Sequence, residues 1–85
     1  MSKAGPFRYR HDVLARLWVH GVQPTATTRP ELVRDYVRDL YKYEIRRLRD
    51  RYVRREFAKA EYAAKVDALR RQYPVLALRA RDWVE

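Results

Sequence analysis

Two apolar stripes at helical spacing, with turn residues around them, predict an all-α fold: a three-helix domain with a long central helix and a C-terminal antiparallel helical hairpin. One stripe is Val33, Val37, Leu40, Tyr41, Ile45, Leu48 and Tyr52, and the other is Tyr62, Val66, Leu69 and Tyr73. Gly21 and Pro24 punctuate the chain before the first stripe, and Pro74 closes the second. With 85 residues there is room for one domain, read as 7–85 behind a flexible leader over 1–6. A content of 47% hydrophobic and 13% aromatic residues is enough to build a core.

The first helix is expected over about 8–20, with Val13, Leu14, Leu17 and Trp18 on its apolar face and Gly21 as its stop. Gly21 to Thr28 then reads as a loop. Thr28 and Glu31 have the spacing of a capping box, and Pro30 suits the first turn, so the central helix is expected over about 29–56. Several of its apolar steps are four residues long, so the stripe drifts around the axis and its two halves should meet different neighbours. Thirty helical residues span roughly 45 Å at about 1.5 Å per residue. A compact chain of this length has a radius of gyration near 12 Å, so the molecule should be elongated, kinked or paired. The third helix, about 59–73, can pack antiparallel on Ile45, Leu48 and Tyr52. Beyond Pro74 the Val75-Leu76-Ala77-Leu78 run should fold back as far as Trp83, because left exposed it would be adhesive. Trp18 and Trp83 are expected to close the core from its two ends, with an anchoring role on a partner as the competing account.

The composition removes several functions. Without cysteine there is no disulfide, thiolate zinc site or cysteine nucleophile, and a reducing compartment fits. Residues 1–6 carry no apolar signal segment, and nowhere do eighteen apolar residues run together, so a cytoplasmic protein without membrane insertion is expected. His11 and His20 have only Asp12 nearby and read as surface or capping residues, with no metal and no cofactor implied. No paired carboxylates, phosphate loop or activated nucleophile is present, so neither an enzyme nor a small-molecule substrate is expected.

The formal charge of +9 predicts acidic partners. From Thr28 to Ile45 four basic residues balance four acidic ones, and Glu31/Arg34, Asp35/Arg38 and Asp39/Lys42 are spaced for local ion pairs. The excess lies further on, in Arg46, Arg47, Arg49, Arg51, Arg54 and Arg55, with Arg70 and Arg71 placed to extend it. These eight are the candidate contacts for nucleic acid or an acidic partner; the competing account is that they solvate the helix and favour its dipole. Tyr36, Tyr41, Tyr43 and Trp83 are the candidate interface residues. Tyr52 joins Tyr41 and Tyr43 as a residue able to stack on bases, although tyrosine at helical spacing also suits a core.

Leu48, Tyr52, Phe57, the Glu61-Tyr62 pair, Lys65 and Leu69 share their spacing with the SHOCT type of short helical hairpin, which residues 48–69 resemble. The turn position that is usually Gly is Arg55 here, and the hydroxyl residue that usually opens the second helix is Ala58. The resemblance implies an oligomerisation or docking hairpin and no chemistry. The length mismatch and the drifting stripe of the central helix point to a non-enzymatic interaction module as the expected function, paired with itself as a homodimer or docked on a larger acidic protein. Nucleic-acid binding through the arginine block is the alternative.

Overall fold

The computed structural model describes residues 6–85; the leader expected over 1–6 lies outside them except for Pro6. The fold is all-α, with α1 (His11–Trp18), α2 (Pro30–Val53) and α3 (Lys59–Arg71), followed by 3-10 turns at Pro74–Ala77 and Ala80–Asp82. Tyr52 near the end of α2 stacks on Tyr62 near the start of α3, and Glu44 further back on α2 accepts from Tyr73 just beyond the end of α3, so the two helices run antiparallel. The molecule measures 53 × 22 × 19 Å with a radius of gyration of 15.6 Å, well above the value near 12 Å for a compact chain of this length.

α1 is shorter than expected because residues ahead of it are used otherwise. Tyr9 forms an antiparallel bridge with Val84. The Arg10 amide donates to the Trp83 carbonyl at 2.9 Å, and the Glu85 amide donates to that of Arg8 at 2.8 Å. At the far end the amides of Gly21 and Val22 donate back to the carbonyls of Trp18 and Leu17, with Gly21 at φ +73°. That backbone conformation suits a residue without a Cβ, and it ends the helix as expected.

The cap of α2 lies one residue later than expected. Arg29 is the N-cap and Pro30 takes the first helical position, where its missing amide costs nothing. The Thr28 hydroxyl is occupied elsewhere, accepting from the Thr25 amide at 3.0 Å, so no capping box forms there. The Thr28 carbonyl accepts from the Tyr9 hydroxyl. Burial, with Glu31 nearby, pushes the Tyr9 phenol up to about 12, which keeps it a donor.

The stripe on α2 changes partner along its length. Val33 and Val37 are buried in the core with Tyr9, Val13, Leu17, Leu69, Tyr73, Val75 and Trp83, and Leu40, Tyr41 and Ile45 pack at its edge. Leu48 and Tyr52 lie beyond, half-buried against α3. The helix therefore joins a packed head to a two-helix arm. Trp83 is the largest fully buried side chain, and its indole N–H donates to the Val75 carbonyl at 3.1 Å. Trp18 is 64% exposed, against expectation. Val13 and Leu17 already supply the inward i, i+4 pair, and Trp18 lies about 100° further around the helix.

The tail occupies the space beside α1 and α2. Arg34 departs from its expected pairing with Glu31: its Nε and one terminal nitrogen donate to the carbonyls of Leu78 and Leu76 at 2.8 and 2.7 Å. Of the three expected pairs on α2, Asp35/Arg38 closes, at 3.3 Å. α3 ends before Tyr73, since a residue preceding proline disfavours the helical conformation. The His20 Nε2–H donates to the Gln72 carbonyl at 2.7 Å and caps that end, while its ring stacks on Tyr73 at 4.1 Å. Burial, reinforced by the bond to Glu44, raises the Tyr73 phenol above its ordinary range.

The turn between α2 and α3 repeats the α1 ending without a glycine. The Glu56 amide donates to the Arg51 carbonyl at 3.1 Å and the Arg55 amide to that of Tyr52 at 2.9 Å, with Arg55 at φ +63°. At the start of α3 the Glu61 carboxylate accepts from the Ala58 amide at 3.0 Å, but Ala58 has no oxygen to return the bond.

Two outcomes follow from this packing. Trp83→Ala is expected to cost about 3–5 kcal/mol, enough to unfold much of a domain this small, with Trp83→Phe losing far less in the same chemical denaturation. Arg55→Gly and Ala58→Ser are each expected to raise stability by about 1 kcal/mol, read as a higher denaturation midpoint at unchanged slope.

Candidate interaction surface

The expected arginine block does not form one surface. A helix turns about 100° per residue, which sends Arg47 and Arg51 to one flank of α2 and Arg46 and Arg49 to the other. Arg47 and Arg51 line an open groove of about 360 Å³ between α2 and α3, with Lys65 facing them from α3. Leu48, Ala68 and Leu69 form its apolar floor, and Glu44 and Gln72 stand at its inner end. Arg54 and Arg55 belong to the turn. Arg70 and Arg71 do not line the groove; both lie on another face of α3, paired with Asp67 at 3.7 and 2.9 Å.

Aromatic rings hold the groove's cations in place. The Arg51 guanidinium and the Lys65 ammonium lie 5.2 and 5.3 Å from the centre of the Phe57 ring, and Arg47 lies 5.9 Å from that of Tyr43. Such contacts contribute about 0.5–1 kcal/mol each at exposed sites and narrow the rotamers available. Arg51 also donates to Glu56 at 2.8 Å, and this hydrogen bond holds the Glu56 carboxyl below its ordinary range. Tyr52, Phe57 and Tyr62 stack together, with 4.5 Å between the two tyrosine rings. Tyr62 therefore covers one of the two Tyr52 faces that base stacking could use.

The candidate interface residues divide as well. Tyr36 and Tyr43 are exposed on α2, on the side away from the core. Trp83 lies fully inside the core and offers no surface contact, while Tyr41 is half-buried and packs edge-on against Tyr73 at 5.2 Å. The exposed side gains Leu32 and Val53, which together with the two tyrosines are 56–67% exposed. A hollow of about 260 Å³ lined by Val22, Pro24, Leu32 and Tyr36 widens this apolar ground at the start of the helix. Leu32 and Val53 fall off the inward stripe, and their spacing with Tyr36 and Tyr43 is the sequence signal that marks them. Lys65 had no neighbouring cation in sequence to mark it, since its groove partners sit on another helix.

Among the described residues no group of three or more His, Asp or Glu side chains is placed to hold a metal ion, and no helix is long and apolar enough to cross a membrane. The chain matches no family model, no curated protein and no solved structure.

Proposed function

We propose that this protein is a non-enzymatic interaction module, docking on a second copy of itself or on a larger acidic protein through the outer face of α2 and the hairpin arm. One observation carries the reading. α2 runs for 24 residues and buries only Pro30, Val33 and Val37, while Leu32, Tyr36, Tyr43 and Val53 stand exposed on its other side. Large apolar side chains left exposed along one face of a helix, spaced by charged ones, suit a surface that meets a partner. The resemblance of residues 48–69 to a SHOCT hairpin supports the same reading, through the docking role that it implies.

Replacing Leu32, Tyr36 and Tyr43 by Ser is expected to change stability by no more than about 0.5 kcal/mol per site, as at surface positions outside a core. The same variant is expected to lose the self-association in light scattering, or the retention of an acidic protein on a column, that the parent chain gives. A parent chain that stays monomeric and retains no partner overturns the reading.

The convergence of Arg47, Arg51 and Lys65 on one groove favours a second reading, in which the arm grips the phosphates of a nucleic acid. Binding of labelled RNA or DNA is then expected to fall steeply with salt, and the logarithmic salt slope is expected to drop by about two to three when those residues become Glu. Absence of binding at about 50 mM salt, where screening is weak, removes this reading.

A further inference from the structure

The outer face of α2 has a regularity that its inner face lacks. Leu32, Tyr36, Asp39, Tyr43, Arg46, Asp50 and Val53 follow one another at alternating four- and three-residue steps, and every one of them is exposed. That is the spacing by which one helix keeps a seam turned toward another over several turns. The inner stripe drifts between two neighbours; the outer one stays on a single line.

The charges on that line select both its occupant and the orientation of the occupant. In a parallel pairing of two copies in register, Asp39 would meet Asp39, Arg46 would meet Arg46 and Asp50 would meet Asp50. An antiparallel pairing about a two-fold axis beside Tyr43 removes all three repulsions. Asp39 then comes level with Arg46 of the copy, the Tyr36 hydroxyl with the carboxylate of Asp50, Leu32 with Val53, and the two Tyr43 rings lie across the axis. Arg46 and Asp39 also share a flank of the seam, so symmetry forms their ion pair twice. A face that complements itself in this way is what an isologous interface requires.

We infer that two copies of this chain dock antiparallel along the outer face of α2, with Tyr43 at the symmetry axis and paired Asp39 and Arg46 side chains setting the register. This rests on the interaction-module reading and names the partner for it. The arms then point in opposite directions, and each basic groove, on a different flank of α2, stays open.

The test uses full-length chains and sedimentation equilibrium. The parent chain is expected to approach twice its 10.4 kDa mass. Asp39→Arg alone and Arg46→Asp alone are each expected to weaken the dimer at least about tenfold, since each places like charges opposite one another twice. An equimolar mixture of the two variants is expected to recover dimerisation to within about threefold of the parent, because every contact in the mixed pair is again between opposite charges. Both positions are exposed, and parent-like helical circular dichroism confirms that the variants fold, since loss of the dimer by itself lowers the melting temperature. A monomeric parent chain overturns the self-docking while leaving the module reading to its own test on the Ser variant. A dimer indifferent to the single changes, or one that the mixture fails to restore, overturns the antiparallel seam.

Discussion

Burial of the Trp83 indole against Val75 is the interaction on which the rest of the head depends. α1 makes its closest helical packing with the 3-10 turn at Pro74–Ala77, and α2 is in contact with both tail turns. Remove the tail and α1 loses the surface its Val13 and Leu17 pack on. Such a tail brings many backbone polar groups close to an apolar core, and buried polar groups without partners are costly. The chain answers with side chains. Arg34 holds the carbonyls of Leu76 and Leu78, the Trp83 N–H holds that of Val75, and Arg10 reaches that of Asp82 at 3.1 Å. Among the described residues no buried side-chain nitrogen or oxygen is left without a partner.

What could be read from the sequence was governed by periodicity. The inward stripes of α2 and α3 identify both helices, and the drift of Val33, Val37, Leu40 and Tyr41 toward Leu48 and Tyr52 anticipates the change of neighbour from tail to hairpin. Boundaries were less legible, because they are decided by competition among local bonds. Thr28 has the composition of a cap yet closes a turn with Thr25, and residues 8–10 are expected to be helical yet pair with the tail. Tertiary pairing over 72 or more residues leaves no trace in a local window. For the surface, one dimension misleads in a particular way. The arginine run is contiguous in sequence and split in space, whereas Lys65 is remote in sequence and adjacent in space.

The two helix endings show how differently one geometry can be met. Gly21 enters the left-handed region without steric cost, while Arg55 enters it against the preference of any side chain. Turn bonds to Arg51 and Tyr52, the ion pairs of Glu56, and the Tyr52–Phe57–Tyr62 stack hold it there. The arm is thus kept closed by aromatic and ionic contacts at its tip, while its turn and its helix start remain short of the residues that suit them best.

The bridge between Tyr9 and Val84 also bears on the order in which the chain folds. Contacts across the α2–α3 turn join residues close in sequence and lose little chain entropy when they form. The bridge and the seating of Trp83 close nearly the whole length of the chain, and distant closures of this kind slow folding. The arm is the segment able to form early on its own local contacts, and the head is completed when its two most widely separated segments meet. A defect in the tail therefore leaves a chain with a formed hairpin and an open head, a species whose exposed Val13, Leu17, Val33 and Val37 are ready to adhere to other chains.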